Sequence, residues 1–348
     1  MKLPPGKVPQ QILQQTVFRF LGAKRADVVL GPALGEDAAI VKAGRRLLAL
    51  SCDPVSGAVR RVGWVAVHVA CNDVATRGVK PLWLSTVILL PEGSASSLLR
   101  EISSQIGEAA EGLGVAIVGG HSETTPGLRN PLVVGFAAGV VKGGKYVRTG
   151  GAKPGDKILM SKAAGLEGTA ILASDFKELL AGRLGLEAVE RAEGFYREIS
   201  IVEEALAGFK AGGVSAMHDP TEGGVAGGLH ELAEASKTGF RVWEEAIPVR
   251  PETLEICRLL RLNPLALNSS GWLLLAVKSE KAEEVLKAIQ RLGIQASIIG
   301  EILQESSRRL LVDRRGRERR LPSPSGDELW KALERASKLE NVMKAQVE

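Results

Sequence analysis

The chain has 348 residues, 45% of them hydrophobic, which is too long for one ordinary core and sufficient for two. Its 45 basic and 40 acidic residues leave a formal charge of +5, which favours anionic ligands, and no nucleic-acid-binding motif accompanies it. No apolar run approaches the roughly 20 residues of a membrane span, and the first residues lack the apolar segment of a signal peptide. The three widely spaced cysteines favour reduced thiols. We therefore expect a soluble, cytoplasmic, two-domain protein that binds no nucleic acid and no membrane.

The first half of the chain alternates between the apolar period of strands and that of helices. Apolar residues three and four positions apart predict an amphipathic helix over 10–21, with Leu13, Val17, Phe20 and Leu21 on one face. The same patterns predict strands at 46–53, 82–90, 115–118 and 131–142, and helices at 61–77 and 94–113. This alternation is typical of a layered α/β domain.

The second half repeats the alternation after a connection rich in Gly and Lys at 142–156. That composition marks a domain boundary, which we set near Gly150, so the predicted domains are 1–150 and 151–348. The arginine-rich segment at 314–320 is predicted as a solvated hairpin or loop rather than a nucleic-acid site. We predict strands at 157–161, 214–217, 240–243, 272–277, 296–302 and 310–313, and helices within 169–211 and around 225–233, 252–260, 281–292 and 327–344.

Four polar residues fall near the ends of apolar segments. Asn72 and Asp73 lie in the apolar helix at 61–77, and Asp37 and Asp53 lie at strand-like positions. A carboxylate in an apolar layer must be hydrogen-bonded or bind a cation, because burying its charge alone is too costly. Ligands of open α/β sheets bind where strands end, and an all-oxygen ligand set suits magnesium. Asp37, Asp53 and Asp73 are therefore predicted to hold Mg²⁺ if they converge, although each alone could cap a helix or begin a turn.

The segment His218-Asp219-Pro220-Thr221-Glu222-Gly223-Gly224 has two interpretations. Asp219 as N-cap with Glu222 three residues later is a capping-box pattern, which by itself only begins a helix. Glycines at a helix start also let a ligand approach the free backbone N–H groups, which attract phosphate. The residues alone leave both interpretations open, and His218 is a candidate acid/base residue.

A second polar segment follows the short predicted strand at 115–118. Gly119 and Gly120 lead into His121, Ser122 and Glu123, a composition that predicts a loop able to hold a ligand. In that loop His121 is a candidate acid/base residue and Glu123 a candidate metal or ligand contact. The alternative is that His121 is structural, which is the commoner role of a single histidine.

Six motifs in order carry a family resemblance. They are Gly35-Glu-Asp-Ala-Ala-Ile, Ser51-Cys-Asp-Pro-Val, Asn72-Asp-Val-Ala-Thr-Arg-Gly-Val-Lys-Pro-Leu, Val118-Gly-Gly-His-Ser-Glu-Thr, Lys153-Pro-Gly-Asp-Lys-Ile-Leu and His218-Asp-Pro-Thr-Glu-Gly-Gly. From about Gly31 to about Leu311 the chain resembles the aminoimidazole ribonucleotide (AIR) synthetase superfamily, and within it the hydrogenase-maturation proteins of HypE type. The resemblance implies a homodimer whose N-terminal domains pair their sheets into a β-barrel, with an α/β sandwich as the C-terminal domain.

The same resemblance implies the ligands ATP and Mg²⁺, held in clefts beside the barrel and covered by glycine-rich segments of the C-terminal domain. It assigns Asp37, Asp53 and Asp73 to positions used for magnesium and phosphate. With these we group, as predicted ATP-binding residues, Asn72, Gly119, Gly120, Asp219, Thr221, Gly223 and Gly224. Glu123 matches another polar position of the cleft.

The resemblance implies a HypE-like enzyme that uses ATP and Mg²⁺ to activate an acceptor oxygen, on a small molecule or a peptide, by phosphoryl transfer, as a ligase, dehydratase or phosphotransferase. The alternative is a non-catalytic, nucleotide-binding dimer that serves as a scaffold or maturation partner. Glu222 favours the alternative, because related proteins often have a basic residue there and a carboxylate repels phosphate. So does the sequence end, Asn341-Val-Met-Lys-Ala-Gln-Val-Glu348, without the terminal cysteine that carries the carbamoyl group in HypE-type proteins. Asn268-Ser-Ser-Gly271 also lacks the acidic residue that HypE-type proteins commonly have before the glycine.

Overall fold

Two α/β units follow one another along the chain in a computed structural model that describes residues 3, 6–8, 10–324 and 326–345. Each unit contains one sheet with helices packed against it, so the predicted α/β class is confirmed. No helix within these described ranges is both long and apolar enough to span a bilayer. The prediction about the end of the sequence falls largely outside this description, because residues 346–348 are not part of it.

The first unit is built on a six-stranded sheet. Its strands are β1 (Val28–Leu30), β2 (Ala39–Ala43), β3 (Arg46–Val55), β4 (Pro81–Pro91), β5 (Ala116–Thr125) and β6 (Leu132–Val140), and its helices are α1 (Gln10–Gln15), α2 (Val62–Thr76) and α3 (Ser96–Leu113). The strand order is β1-β2-β3-β6-β4-β5, antiparallel except for the parallel pair β4 and β5. Helices α2 and α3 cover one face of this sheet. Strand β5 stands last in the strand order, so it is an edge strand, and almost every one of its residues is exposed.

Helix α2 is the central helix of the molecule because it is apolar on nearly every side. All of its residues except Trp64 are buried between the sheet, α3 and a helix of the second unit. It can approach the sheet closely at Gly135 of β6, where any side chain would lie 2.8 Å from the backbone oxygen of Ala66. Asp73 therefore enters the interior on a rigid, fully buried element.

The second unit is built on a seven-stranded sheet with a core on each face. Its strands are β7 (Lys157–Ser161), β8 (Val214–His218), β9 (Gly239–Trp243), β10 (Leu274–Val277), β11 (Ala296–Leu303), β12 (Arg309–Val312) and β13 (Glu318–Arg320). Its helices are α4 (Leu166–Asp175), α5 (Lys177–Leu184), α6 (Leu186–Glu193), α7 (Val202–Ala211), α8 (Gly224–Ser236), α9 (Pro251–Leu260), α10 (Ala282–Gln290) and α11 (Glu328–Ala345). The order is β13-β12-β9-β11-β7-β10-β8. Central strands such as β10 are apolar throughout because alternate residues, Leu274 and Leu275, enter different cores.

At three places the structure refines a predicted segment. The predicted first helix ends early, at Gln15, and Phe20 is 84% exposed, so the proposed apolar face of residues 10–21 does not pack against the core of this chain. The segment predicted as a ligand-binding loop after residue 118 continues as strand β5 to Thr125, because it pairs along its whole length with β4. The arginine-rich segment forms an exposed hairpin between β12 and β13, one of the two forms predicted.

Candidate active site

A cavity of about 770 Å³ lies between the two units and collects the acids that the sequence singled out. Asp37 reaches it from the loop before β2, Asp53 from β3, Asp73 from α2 and Asp219 from the residue that follows β8. Three elements of the first unit and one loop of the second thus bring four carboxylates to one cavity. Asp37, Asp53 and Asp73, the three residues of the magnesium prediction, all line this one cavity. Among the described residues the three ligand atoms that all lie within 4.8 Å of one another belong to Asp37, Asp219 and His218, so a cation shared by Asp37, Asp53 and Asp73 stays a prediction.

Asp37 is the most strongly paired of the four. One of its oxygens lies 2.6 Å from Nδ1 of His218 and the other accepts a hydrogen bond of 3.0 Å from Nη2 of Arg77. Burial opposes ionisation of the group, but His218 and Arg77 hold the pKa of Asp37 below its usual value. Asp37 is therefore a fixed carboxylate at neutral pH.

His218 is held between two carboxylates. Its Nε2 lies 2.9 Å from an oxygen of Glu231 on α8, while Nδ1 faces Asp37. Although burial alone lowers the pKa of an imidazole, these carboxylates raise the pKa of His218 to about 10. The ring is thus an imidazolium whose two N–H groups are both engaged. This geometry suits a residue that orients Asp37 better than the general base that the sequence suggested.

Arg77 is the buried counter-charge of the site. Its guanidinium is 0% exposed and donates to Glu36 and Asp37 as well as to Thr149 Oγ1 at 2.8 Å. Glu36 also accepts the backbone N–H of Thr149 at 3.1 Å. The Arg77 network therefore fastens the loop that carries Asp37 to the connection between the two units.

Asp53, Asp73 and Asp219 lack such counter-charges. Burial raises the pKa of each, and the neighbouring carboxylates of Asp53, Asp219 and Asp37 raise the pKa of Asp73 further. Asp73 accepts a hydrogen bond from Ser51, whereas both carboxylate oxygens of Asp219 are buried without any hydrogen-bond partner. Oxygen atoms of Asp219 and Asp37 lie within 4.8 Å of each other and of a His218 nitrogen. A buried, unpaired carboxylate among other acids fits a divalent cation, since a cation removes the repulsion and supplies the missing partner.

The glycine segment before α8 differs from the predicted capping box. The helix begins at Gly224 with Gly223 at φ +79°, and the Asp219 side chain caps nothing. The N–H of Gly223 instead donates to Asp327 Oδ2 at 2.6 Å, so a carboxylate already lies where a phosphate was expected. Gly224 must lack a side chain, because a Cβ would lie 2.5 Å from the Leu267 carbonyl oxygen. Thr221 lines the cavity, whereas Gly223 and Gly224 lie outside its lining.

Asn72 does not line the cavity either. Its amide nitrogen donates to the Ile199 carbonyl oxygen at 2.9 Å, and its oxygen accepts the N–H of Ile201 at 2.9 Å. Both halves of the side chain are therefore satisfied by backbone of the second unit. In this chain the position of Asn72 serves the contact between α2 and the segment before α7.

The other predicted segment lies apart from the cavity. Gly119, Gly120, His121 and Glu123 are all on edge strand β5 and are exposed. His121 Nε2 lies 3.0 Å from Glu123 Oε2, and none of the four residues lines the acid cavity. Within a single chain, these candidate catalytic and ATP-binding residues are separate from the candidate magnesium ligands.

Several residues of the site were not found from the sequence. Glu167 on α4 lines the cavity and accepts the N–H of Ser270 at 3.1 Å; burial, with help from Asp327 and Glu222, raises the pKa of Glu167 to about 7. Asp327 could have been found, because an aspartate directly before α11 is an N-cap pattern and accepts the Leu329 N–H at 2.6 Å. No comparable pattern in the sequence around Lys7 or Glu231 marks these residues as part of the site.

Comparison with known proteins defines the class. Residues 35–141 match the N-terminal domain of AIR synthase related proteins, and residues 153–313 match the C-terminal domain of the same proteins. The chain therefore belongs to the AIR synthase-related protein family. The matched segments contain Asp37, Asp53, Asp73 and Asp219, whereas the cavity is also lined by residues before 35 and after 313.

The individual relatives identify the branch of this family as the hydrogenase maturation proteins of HypE type. A putative hydrogenase expression/formation protein of Methanocaldococcus jannaschii is 30% identical over 86% of this chain and 89% of its own. The carbamoyl dehydratase HypE of Rhizobium leguminosarum bv. viciae is 34% identical over 71% of this chain and 69% of its own. The crystal structure of a HypE–HypF complex contains a chain with a TM-score of 0.74 and 25% identity, covering 90% of this chain and 99% of the other. The resemblance to the AIR synthetase superfamily and its HypE branch is thereby confirmed.

Proposed function

We propose that this protein is a Mg²⁺-dependent, ATP-using enzyme of HypE type, which transfers a phosphoryl group to an acceptor oxygen. The observation that carries the proposal is Asp219, a residue 3% exposed whose two carboxylate oxygens have no hydrogen-bond partner among the described residues, in a cavity that Asp37, Asp53 and Asp73 also line. The four aspartates would hold Mg²⁺, which when bound neutralises the charge of the triphosphate.

The acceptor we propose is a carbamoyl group carried by a small molecule or a peptide. Relatives are named carbamoyl dehydratases, and dehydrating a carbamoyl group to a nitrile requires its oxygen to leave. Phosphoryl transfer from ATP to that oxygen, with loss of one N–H proton, makes phosphate the leaving group. Departure of phosphate with loss of the second N–H proton then forms the nitrile, so ATP and the carbamoyl group yield ADP, hydrogen phosphate, one proton and the nitrile. The chain would contribute mainly positioning: Arg77 and His218 fix Asp37, and α2 fixes Asp73.

We also propose that the working unit is a homodimer joined through the first sheet. The face of that sheet away from α2 exposes Cys52, Trp83 and Phe136, and edge strand β5 exposes Ile117 and Val118. A long edge strand with exposed apolar residues is the kind of surface that pairs with another chain. A second copy would bring the polar β5 segment to a cleft, as the family resemblance implies. A HypE relative is known in a complex with HypF, so a maturation partner is a further proposal for this chain.

The proposal is tested by binding of ATP to purified protein, measured by calorimetry with Mg²⁺ and with EDTA. We expect the wild type to bind ATP only with Mg²⁺, and Asp73→Asn and Asp219→Asn each to weaken that binding about 100-fold or more, since each removes a metal ligand. Asp27→Asn, at an exposed aspartate paired with Arg25, is the matched control and is expected to bind as the wild type does.

Retention of Mg²⁺-dependent binding in both cavity variants would contradict the proposed metal site. Phosphate release with carbamoyl-bearing acceptors then separates the enzyme from the scaffold. Turnover that depends on the acceptor supports the enzyme, whereas stable binding of ATP without turnover would favour the non-catalytic dimer.

A further inference from the structure

A short N-terminal segment, residues 6–8, crosses the acid cavity between the two units. The backbone N–H of Lys7 donates to Glu222 Oε2 at 2.5 Å, and its Nζ donates to Glu231 Oε1 at 2.8 Å. Gly6 permits this approach, since it has φ +95° and a Cβ there would lie 2.6 Å from Glu222 Oε2. The segment is thus held to both ends of the glycine-rich region that begins α8.

Lys7 and the His218 imidazolium are the positive side chains among the described residues that line the cavity. Among the described residues that line the cavity, Lys7 is the one lysine or arginine, and it faces a wall of carboxylates. These carboxylates belong to Glu36, Asp37, Asp53, Asp73, Glu167, Asp219 and Glu222. A triphosphate entering this cavity would meet Lys7 as its one mobile positive side chain, because His218 and Arg77 are already fully engaged.

The position of Lys7 also accounts for Glu222. The sequence led us to expect that Glu222 would repel phosphate at a place where related proteins often have a basic residue. In the structure the Glu222 carboxylate binds the backbone of Lys7, which brings a lysine side chain to the same region from a distant part of the chain. Glu222 therefore anchors the backbone of Lys7 and so brings a cation to this region, instead of leaving the region without one.

Lys7 shares its present partner with His218. Although burial opposes the charge of the Lys7 ammonium, Glu231, Asp37 and Asp53 raise its pKa, so the charge of a phosphate has to offset the departure of Lys7 from Glu231. The Lys7 side chain is 47% exposed, whereas Glu231 is 12% exposed. Glu231 keeps a second charged partner, because its other oxygen lies 2.9 Å from His218 Nε2. A departing ammonium group would therefore not leave an uncompensated buried carboxylate, which is what usually makes such a change expensive.

We propose that Lys7 is a phosphate-binding residue: its Nζ moves from Glu231 to the terminal phosphate of ATP, and residues 6–8 form the wall that closes the cavity over the nucleotide. This inference rests on the proposed function. It adds a specific expectation, that the N-terminal segment distinguishes ATP from ADP. A lysine suits this task because its ammonium is a compact charge on a flexible stem that can follow the phosphate.

The test measures the affinities of full-length protein for ATP and for ADP, each with Mg²⁺, in the wild type, Lys7→Met and Lys7→Arg. We expect Lys7→Met to weaken ATP binding about tenfold and ADP binding less than about twofold, because one charge-assisted contact to the terminal phosphate is lost. Lys7→Arg should keep ATP affinity within about threefold of the wild type. Lys24→Met, at an exposed lysine, is the matched control and should change neither affinity.

Equal weakening of ATP and ADP, or no weakening, in Lys7→Met would overturn the assignment. Thermal unfolding without nucleotide separates a structural role: a lower midpoint with an unchanged ATP-to-ADP affinity ratio also counts against phosphate binding. A wild type that binds neither nucleotide would refute the proposed function itself, and the role of Lys7 with it. Nucleotide binding in the wild type without discrimination by Lys7 would refute only the role of Lys7.

Discussion

The acid cavity and strand β5 contain the same kinds of residues in opposite environments. In the cavity, carboxylates from separate elements are buried, and Glu36 and Asp37 are paired with Arg77, Asp37 also with His218. On β5, His121 and Glu123 form a comparable pair in the open, with side chains 63% and 50% exposed. Both regions have glycines next to polar residues, so both were predicted as candidate sites from the sequence.

Local composition therefore identifies polar segments, whereas burial determines the chemistry of which their side chains are capable. A carboxylate in the cavity is held in one place and interacts strongly with any cation, since little water screens it. The pair on β5 is solvated and contributes little by itself. The β5 segment can become a site only if something covers it, whereas the cavity is built within one chain.

The largest expected effect comes from removing the buried counter-charge. Arg77→Met would leave Glu36 and Asp37 buried without their guanidinium, and we expect the free energy of unfolding to fall by about 3 to 5 kcal/mol. For Arg77→Lys the free energy of unfolding should fall less, because lysine keeps the positive charge. It should still fall, because lysine lacks the guanidinium geometry that reaches both carboxylates. Chemical denaturation at neutral pH measures all of these differences.

The matched control breaks the equivalent pair on β5. Glu123→Gln removes one partner of His121, and the expected change is below about 0.5 kcal/mol, because both side chains are exposed. Similar losses in Arg77→Met and Glu123→Gln would contradict the contrast between the two regions.

The next effect concerns pH. The folded-state pKa of Glu167 is about 7, above the ordinary value of 4.5, so the folded protein favours the protonated carboxyl. The unfolded chain releases that proton first as pH rises, and stability is lost progressively between about pH 4.5 and 8. Relative to Glu167→Gln, which keeps an acceptor for the Ser270 N–H but does not titrate, the wild type should lose about 2 to 3 kcal/mol over that range.

An exposed glutamate provides the reference for this measurement. Glu92→Gln should run parallel to the wild type from pH 4.5 to 8, since Glu92 is exposed. If the difference between the wild type and Glu167→Gln did not change with pH, Glu167 would have to be solvated, and the cavity would be more open than its lining indicates.

The fold could be predicted from the sequence where the apolar residues of an element follow a single period, that of a helix or that of a strand. The largely apolar helix α2 and the apolar central strands of the second sheet follow from patterns within each segment, without reference to other parts of the chain. The rule that ligands bind where strands end was enough to assign Asp37, Asp53 and Asp73 to one cavity. These are consequences of local chemistry and sheet geometry.

The remaining features depend on partners distant in sequence. Nothing near Asp219 indicates that it points into the cavity instead of capping α8, because Asp327, more than 100 residues away, takes the place at Gly223. Asn72 has a polar side chain beside the key acid, yet its partners are backbone atoms of the second unit. Glycines at 119 and 120 suggested a loop, although a Cβ at Gly120 would lie 2.3 Å from the Thr86 carbonyl oxygen, which explains the glycine by strand pairing.

The smallest expected effect tests whether a second copy covers β5. Val118 is 62% exposed on that edge strand, and a two-fold dimer through this strand would bury it once in each chain. Val118→Glu would then place two carboxylates in the interface, and we expect the dimer dissociation constant, measured by sedimentation equilibrium, to rise about tenfold.

The opposite edge of the same sheet supplies the control. Val29 on β1 is also exposed, so Val29→Glu changes surface charge and hydropathy in the same way without touching β5. A monomeric wild type, or equal effects of the two substitutions, would contradict pairing through β5, and His121 and Glu123 would then have no route to a nucleotide. A selective effect of Val118→Glu would support a dimer through β5, the arrangement that could bring His121 and Glu123 to the cleft of a second chain.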